Sequence, residues 1–521
     1  MILDDIKSDW DVVVIGGGIT GAGIFNQAAA MGLSVLLAEQ RDYAWGTSSR
    51  SSKMVHGGLR YLKQGRLLMT RNSVKERQRM LLQEPGLVEP LTFLMPIYKG
   101  QNLSAPMMEA GLVIYSLMAM KKQYRRLTSG EVLEKVPQIS DRGLVSGFCF
   151  QDAQVDDARL VLSQISRGIA RGGVALNYTR IAGIGRNRQG NVSSVTLEDT
   201  DTGLVREVKA RLVINATGAW AEKLHPSPVK GLSLRPLRGS HLIFPGHVLP
   251  MGQVLNFMHP RDQRPVFIFP WEGSAVLGTT DVDHHGSLDR EPSITAAEAA
   301  YLMEGLHHAM PGAHVSLSDS IASFAGVRPV LSRGRSDASG ESREHCVWKN
   351  KGLITVTGGK MTTFRLLARD ALRAGRPYFP GRPKDRPKSC FQPAGPLQAL
   401  QTDSGILPPG LIQRLWGRYG SLAGEIAGRI SRDSREGDPI GNTAIVEAEL
   451  YVAARHEQVR HLDDLMLRRV RLGLLLPQGG RHVLDRVKPI LCRILAWDEH
   501  GWEREKNRYL DIWQRYYAPL P

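Results

Sequence analysis

The chain has 521 residues and a mass of 57.6 kDa, so two or three domains are expected rather than one simple core. Hydrophobic residues at 42% and charged residues at 23% exclude a disordered, collagen-like or coiled-coil protein. The formal net charge of +16 favours anionic partners such as phosphorylated metabolites, an anionic membrane or nucleic acid. The arginines are scattered along the chain, so the positive net charge can also reflect a general bias of the amino-acid composition with no bound partner.

Cysteine usage and hydropathy limit the class further. The four cysteines form no CxxC pair, which argues against a disulfide framework or zinc ribbon and favours a reducing compartment. The longest uncharged apolar stretch, 110–120, has 11 residues. A spanning helix needs about 20 residues, so we do not expect the chain to cross a bilayer. No metal site is expected either, since the adjacent His284 and His285 would point to opposite faces of a strand.

The first motif is a strand followed by a glycine-rich turn. A β-branched run at 12–15 predicts a buried strand, and Gly16, Gly18 and Gly21 follow it with G-x-G-x-x-G spacing. The first glycine permits the tight turn, the second lets a pyrophosphate approach, and the third allows close helix–strand packing. Free N–H groups at the helix start would hold the phosphates. Glu39 ends the next strand and would accept hydrogen bonds from the adenosine ribose. Together, the strand, the glycines and this acid predict a dinucleotide site for either NAD or FAD.

Later segments favour FAD. A polar loop spans 47–62, a strand runs into a small-residue turn at 216–218, and a second strand–glycine–helix junction lies at 354–364. A second helix N-terminus would stabilise the negative charge of a reduced flavin near its N1/C2 carbonyl, a need that nicotinamide lacks. The residues expected at the cofactor are Gly16, Gly18, Gly21, Glu39, Thr47, Ser48, Ser51, Ser52, Ala216, Thr217, Gly218, Gly359, Lys360, Met361 and Thr362.

In order and content, these motifs resemble those of the FAD-dependent glycerol-3-phosphate dehydrogenase family, the respiratory, quinone-linked type. The matching stretches are 16–23, 47–62, 156–160, 215–220, 278–281, 326–329 and 358–364. Three residues depart from the family pattern: Gln27 and Met31 stand where Asp and Arg are usual, and Phe364 replaces a common tyrosine. These departures leave a shifted substrate preference open.

The resemblance implies oxidation of sn-glycerol 3-phosphate to dihydroxyacetone phosphate, with hydride passing to flavin N5 and electrons passing on to quinone. The guanidinium fork of arginine and the ammonium group of lysine both suit a phosphate dianion. The candidate phosphate ligands are Arg60, Arg328, Arg343 and Lys360. Arg343 is the weakest of these because its surroundings are less typical of the family.

The proton acceptor is less clear from the residues. His56 has a suitable intrinsic pKa of about 6.5, although a structural histidine is the alternative. Tyr61 or Thr279 could orient the alcohol.

The motif order predicts an α/β fold in which a Rossmann-type FAD-binding domain is interleaved with an antiparallel-sheet substrate domain. The FAD domain is expected at 1–70, 145–240 and 322–375, and the substrate domain at 71–144 and 241–321. Prolines at 376–410 predict a stiff linker. Helical periodicity beyond it predicts a C-terminal helical domain at 411–521.

Two stretches bear on localisation. Residues 63–82 predict a cationic amphipathic helix, and the apolar stretch 110–120 ends in a basic run at 121–126. Each basic residue near an anionic leaflet contributes about 1 kcal/mol, which suits peripheral docking on the inner face of the cytoplasmic membrane. An ordinary solvated helix face explains the same pattern. A homodimer is compatible with the sequence.

Two other functions remain open. The same fold could serve an amino-acid or hydroxy-acid oxidase, in which Arg328 would bind a carboxylate. An FAD-dependent RNA-modifying or RNA-binding protein would use the positive charge, but nucleic-acid binding favours a concentrated basic patch with stacking aromatics. No such patch is evident, so no nucleic-acid partner is expected.

Overall fold

The structure is a computed structural model that describes residues 3–63, 65–100, 104–121, 124–225, 233–332, 344–381 and 407–520, without the side chains of Arg60 and Lys63. Arg343 and most of the predicted proline-rich linker therefore lie outside the described residues.

The strands of the described residues are β1 (Asp9–Ile15), β2 (Val35–Ala38), β3 (Met54–Val55), β4 (Val88–Tyr98), β5 (Tyr124–Thr128), β6 (Leu144–Val155), β7 (Val174–Leu176), β8 (Thr179–Arg186), β9 (Val192–Asp199), β10 (Val205–Asn215), β11 (Ser233–Pro245), β12 (Val254–Met258), β13 (Pro265–Trp271), β14 (Ser274–Gly278), β15 (Val282–Asp283), β16 (Ala322–Ser332), β17 (His345–Asn350) and β18 (Leu353–Gly358).

The helices are α1 (Ile19–Ala30), α2 (Leu59–Lys63), α3 (Leu67–Gln83), α4 (Ala105–Ala119), α5 (Ser129–Lys135), α6 (Asp157–Ala170), α7 (Ala221–Leu224), α8 (Ala296–Ala309), α9 (Phe364–Gly375), α10 (Pro409–Tyr419), α11 (Ala423–Arg432), α12 (Glu447–His456), α13 (Leu472–Leu475), α14 (Leu484–Leu495) and α15 (Glu499–Tyr516). A short π-helix covers Asp464–Arg469.

The first sheet has the strand order β17-β18-β10-β1-β2-β7, with β9 joined to β10 and β8 joined to β9. Its central strands β18, β10, β1, β2 and β7 run parallel. Val12, Val13 and Val14 are fully buried, as expected for a parallel strand covered on both faces. Helix α1 packs between the sheet, α6 and α9, which places its N-terminus at the carboxyl edge of β1.

The second sheet has ten strands in the order β15-β11-β14-β13-β12-β4-β6-β3, with β16 joined to β11 and β5 joined to β6. Its pairings are antiparallel except that of β12 with β4. The predicted substrate segment 241–321 contributes β12 to β15 to this sheet. The overall class, a Rossmann-type α/β domain with an antiparallel-rich second sheet, is thus confirmed.

The strand pairing differs from the predicted domain boundaries in four places. β3, β6, the first half of β11, and β16 fall within segments assigned to the FAD domain, yet all four pair within the second sheet. The reason is that hydrogen-bonded neighbours decide which sheet a strand belongs to, and β16 pairs with β11 along its whole length.

The C-terminal helices form the predicted helical domain. α10 to α15 share one hydrophobic core, and this core continues into the second sheet through Phe269, Trp271 and Phe324. Within the described ranges, no helix combines the length and apolar content needed to cross a bilayer.

Candidate active site

A cavity of about 1880 Å³ lies between the two sheets, larger than the usual 300–1,000 Å³ of a small-molecule site. It begins at the carboxyl ends of β1 and β2, beside Gly16 and Glu39, and extends to Arg328 on β16 and Lys360 after β18. Ligands of open α/β sheets bind at this edge. Its length and position fit a dinucleotide with a second, smaller molecule beyond it.

The turn after β1 has no room for side chains at its glycines. A Cβ added to Gly16, whose φ is +107°, would lie 2.8 Å from the carbonyl oxygen of Ala216. A Cβ on Gly21 would lie 1.9 Å from the carbonyl oxygen of Gly16, and Gly21 lies behind the turn rather than in the cavity wall. The N-terminus of α1 therefore faces the cavity at close range, and its N–H groups and dipole suit a pyrophosphate.

Glu39 is fixed at the end of β2. One carboxylate oxygen accepts a 2.6 Å bond from the Gly17 N–H, and the other accepts a 3.0 Å bond from the Arg41 N–H. Burial raises the pKa of this carboxyl, while the two N–H donors oppose the rise. Each oxygen retains a second lone pair, so the carboxylate that anchors the turn can also accept a ribose hydroxyl, as the sequence predicts.

Hydroxyl groups of the polar loop are anchored to buried groups behind the cavity wall. The Ser51 hydroxyl donates to Asp157 at 2.8 Å, and Ser52 Oγ lies 2.9 Å from His241 Nε2. The Thr47 hydroxyl donates to the Val327 carbonyl. Their backbones line the cavity in fixed positions, while Ser48 Oγ accepts the Ile19 N–H at the start of α1.

The second glycine junction meets the first in this cavity. Gly358 and Gly359 have φ of +79° and +76°, and a short 3₁₀ turn at 361–363 leads into α9. The Thr357 hydroxyl donates to the Gly218 carbonyl at 2.9 Å, which joins this junction to the turn after β10. Two junctions far apart in the chain therefore face one ligand.

Cations gather at the far end. Arg328 donates through Nη2 to Thr279 Oγ1 at 2.9 Å, and its Nη1 lies 3.0 Å from Asp281. Lys360 Nζ donates to Ser73 Oγ at 3.2 Å and lies 3.7 Å from the centre of the Tyr61 ring. These contacts direct both cations along the cavity wall, where an anion would meet them.

His56 lines the same end, and the residue after it is held from behind. The Gly57 N–H donates to Tyr115 Oη at 2.8 Å and to Asp152 at 3.1 Å. Arg77 pairs with Asp152 at 2.5 Å. Burial raises the pKa of Asp152 despite this guanidinium. Arg77, which the sequence places on a cationic helix face, is 1% exposed and supports the active-site loop instead.

One arm of the cavity is apolar. Its walls come from the second sheet and α4, and they include Phe93, Met95, Phe150, Phe267 and Ile114. No motif of the sequence predicts this arm. Ile114 is 40% exposed, so the arm reaches the surface at α4.

Most predicted site residues line this one cavity, namely His56, Tyr61, Thr279, Arg328, Gly16, Gly18, Glu39, Thr47, Ser48, Ser51, Ser52, Ala216, Thr217, Gly218, Gly359, Lys360, Met361 and Thr362. The side chain of Arg60 and all of Arg343 lie outside the described residues. Sequence reasoning missed Arg264, which lies in no motif, and assigned no role to Asp281, which lies inside one.

Comparison with known proteins identifies the fold and its cofactor. The DAO family profile, described as FAD dependent oxidoreductase, matches residues 11–371, and the profile for the C-terminal domain of alpha-glycerophosphate oxidase matches 392–501. Glycerol-3-phosphate dehydrogenase 2 of Mycobacterium bovis is 33% identical over 519 residues, covering 96% of this chain and 87% of its own length. The aerobic glycerol-3-phosphate dehydrogenase of Bacillus subtilis is 31% identical over 535 residues, covering 98% and 95%.

Among solved structures, the glycerol-3-phosphate dehydrogenase of Bacillus halodurans complexed with FAD superposes with a TM-score of 0.77. It is 25% identical, and the match covers 99% of this chain and 96% of that one. The resemblance predicted from the motifs is confirmed, as is FAD as the cofactor. The chain belongs to the FAD-dependent glycerol-3-phosphate dehydrogenase family.

Proposed function

We propose that this chain oxidises sn-glycerol 3-phosphate to dihydroxyacetone phosphate and passes the electrons to a quinone. The observation that carries the proposal is that Arg328 on β16 and Lys360 in the second glycine junction both line the cavity into which the first junction opens. A small phosphorylated alcohol matches both the charge and the space at that end.

The reaction removes two electrons and two protons from the substrate, one proton leaving with the electron pair as hydride from C2. When bound, FAD supplies the hydride acceptor at N5. Arg328 and Lys360 would bind the phosphate, and Arg328 is preset for this by Thr279 and Asp281. Each charge-assisted bond of this type contributes roughly 1.5–3 kcal/mol.

The remaining proton leaves the C2 hydroxyl. His56 is the proposed acceptor, because it lines the substrate end and its loop is fixed through Gly57 by Tyr115 and Asp152. Tyr61, beneath the Lys360 ammonium, and Thr279, beside Arg328, would orient the alcohol. Arg60 and Arg343 remain proposed phosphate ligands on the strength of the family resemblance alone.

The apolar arm supports a lipophilic electron acceptor. A quinone head could approach the substrate end between Phe93, Phe150 and Phe267 while its tail left past Ile114 at the surface. Such a route keeps the acceptor and the phosphorylated substrate on chemically different walls of one cavity.

The outer surface around that opening supports peripheral membrane attachment. Leu68 on α3 is 74% exposed, Leu117 on α4 is 71% exposed, and Met120 beside Lys121 is 91% exposed. Exposed apolar side chains next to basic ones suit insertion at the interface of an anionic leaflet. The opening of the apolar arm would then face the source of the quinone.

The substrate is tested with purified holoenzyme under anaerobic conditions. Glycerol 3-phosphate should bleach the flavin absorbance, while glycerol at the same concentration should not. Bleaching by an amino acid or hydroxy acid instead, with peroxide formed in air, would replace the proposal by the oxidase alternative.

The acceptor route is tested by Ile114→Glu, with Ile169→Glu as control. Both side chains are 40% exposed, but Ile169 lies on α6 away from the cavity. Turnover with a long-chain quinone should fall for the first variant only, while anaerobic bleaching by glycerol 3-phosphate stays unchanged. Equal quinone turnover in both would refute this route.

Membrane attachment is tested by co-sedimentation with vesicles containing phosphatidylglycerol. Leu117→Glu should lower the bound fraction, whereas Val205→Glu, 57% exposed on β10, should not. Wild-type protein that stays in the supernatant would contradict the attachment.

A further inference from the structure

Asp281 bridges two arginines at the substrate end of the cavity. Arg328 Nη1 lies 3.0 Å from Asp281 Oδ1, and Arg264 Nη2 lies 2.9 Å from Asp281 Oδ2. Arg264 Nη1 also donates to the Asp281 carbonyl at 3.2 Å. All three residues line the cavity. Two guanidinium groups are thus held side by side by the two oxygens of one carboxylate.

Arg264 is presented by a turn with several internal anchors. The His259 N–H donates to the Arg264 carbonyl at 2.8 Å, and the Arg264 N–H donates to Asp262 Oδ1 at 3.1 Å. Asp262 in turn accepts the Tyr301 hydroxyl at 3.0 Å, and the His259 ring stacks on Tyr301 with centroids 3.6 Å apart. The position of Arg264 therefore follows from the fold and does not depend on a loose surface loop.

We propose that Arg264, held beside Arg328 by Asp281, is a further ligand of the substrate's phosphate, and that Asp281 is the positioning residue of the pair. This inference rests on the proposed function, because it names a residue that would recognise the phosphorylated end of that substrate.

The charge balance favours an anion at this place. One carboxylate neutralises one guanidinium, so the trio carries a net positive charge at the wall of a cavity. Asp281 is nearly buried, whereas the Arg264 and Arg328 side chains remain 27% and 21% exposed. A purely structural ion pair would need one arginine. A second one, from the turn that precedes β13, adds a further fork of donors that suits phosphate oxygens.

Arg264→Gln removes the charge and keeps a polar side chain of similar reach. The KM for glycerol 3-phosphate should rise about 10- to 100-fold, while kcat changes by less than about threefold. Arg264→Lys, which keeps the charge but loses the fork, should give an intermediate KM. Arg261→Gln is the matched control, since Arg261 lies in the same turn but is paired with Glu304 at the surface.

A second variant tests the positioning role. Asp281→Asn should also raise the KM more than it lowers kcat, because both guanidinium groups lose the negative charge of their shared anchor and one of its two acceptor oxygens. If that variant does not fold, Arg264→Gln and Arg264→Lys still decide whether Arg264 binds the phosphate.

Equilibrium binding separates this inference from the proposed function. Inorganic phosphate should raise the melting temperature of the oxidised wild-type holoenzyme and of Arg261→Gln, and should do so much less for Arg264→Gln. Should glycerol 3-phosphate fail to bleach the flavin while phosphate still binds through Arg264, the substrate is wrong and the anion site stands. A KM and a phosphate response of Arg264→Gln equal to those of Arg261→Gln would overturn the inference.

Discussion

Arginine–carboxylate pairs occur in two regions of this molecule with opposite consequences. Where the C-terminal domain meets the first sheet, Asp42 is fully buried and pairs with Arg468 and with Arg469 at 2.6 Å. At the substrate end, Asp281 holds arginines that keep a fifth or more of their side chains exposed. The first set is closed on all sides, whereas the second lines the cavity. Burial, and not residue type, distinguishes these two sets of ion pairs.

The electrostatics of the buried region follow from this closure. Burial alone would raise the pKa of Asp42, but Arg469 and Arg468 outweigh it and lower the pKa. These buried arginines are neutralised by the carboxylates beside them and are not accessible to an outside partner.

The largest effect should come from Asp42→Ala. Arg469 would be left buried without its carboxylate and Arg468 would keep only Asp463 and Asp464, and breaking such buried pairs typically costs about 3–5 kcal/mol. The free energy of unfolding from denaturant titration measures this. A loss below about 1 kcal/mol would mean that the buried pairs behave like surface pairs.

Lys360→Met should affect activity and spare stability. Losing one charge-assisted contact with the phosphate should lower kcat/KM for glycerol 3-phosphate about 10- to 100-fold. Lys349 is exposed on β17, and Lys349→Met is the control that should change neither kcat/KM nor stability. Equal kinetics for the two variants would remove Lys360 from the proposed site.

The pH dependence of stability offers a third test. Burial, followed by the charges of Arg328 and Lys53, holds the pKa of His241 well below 6.5. Below that pH the unfolded chain binds a proton that the folded protein does not, so stability falls as the pH falls, by up to about 1.4 kcal/mol per pH unit.

His241→Phe should lose this part of the acid sensitivity, since phenylalanine does not titrate. At neutral pH it should cost about 1 kcal/mol through the lost contact with Ser52. His308→Phe, at an exposed position on α8, serves as the control. Parallel stability curves for wild type and His241→Phe between pH 7 and 5 would contradict the expectation.

The smallest effect should come from Arg515→Ala. Arg515 pairs with Asp511 across one turn of α15, and both side chains are more than half exposed. Such i,i+4 pairs contribute about 0.3–0.5 kcal/mol, so the thermal midpoint should hardly move. A loss of stability comparable to that of Asp42→Ala would contradict the distinction between exposed and buried ion pairs.

Local pattern was a good guide where backbone geometry dictates the residue. Gly16 and Gly21 leave no space for a Cβ, and Gly358 and Gly359 have positive φ, so their spacing alone predicted the two junctions. The polar loop and the Arg328 segment were found in the same way.

Pattern failed where the partner lies far away in the chain. Arg77 looked like a surface cation, but it is buried against Asp152 seventy-five residues later. His241 and Arg264 lie in no recognisable motif. His241 contacts Ser52, and Arg264 contacts Asp281, only once the second sheet has formed. β16, in a segment predicted to belong to the FAD domain, pairs with β11 in the second sheet, and that pairing also joins distant parts of the chain.

The amino-acid order was thus sufficient for the fold class, the cofactor and the family, because tight turns and helix starts depend on residues a few positions apart. Which arginines line the cavity and which are closed inside the protein depended on the packing of two sheets and a helical domain. Burial and ion pairing are set by neighbours in space, and no short stretch of sequence contains those neighbours.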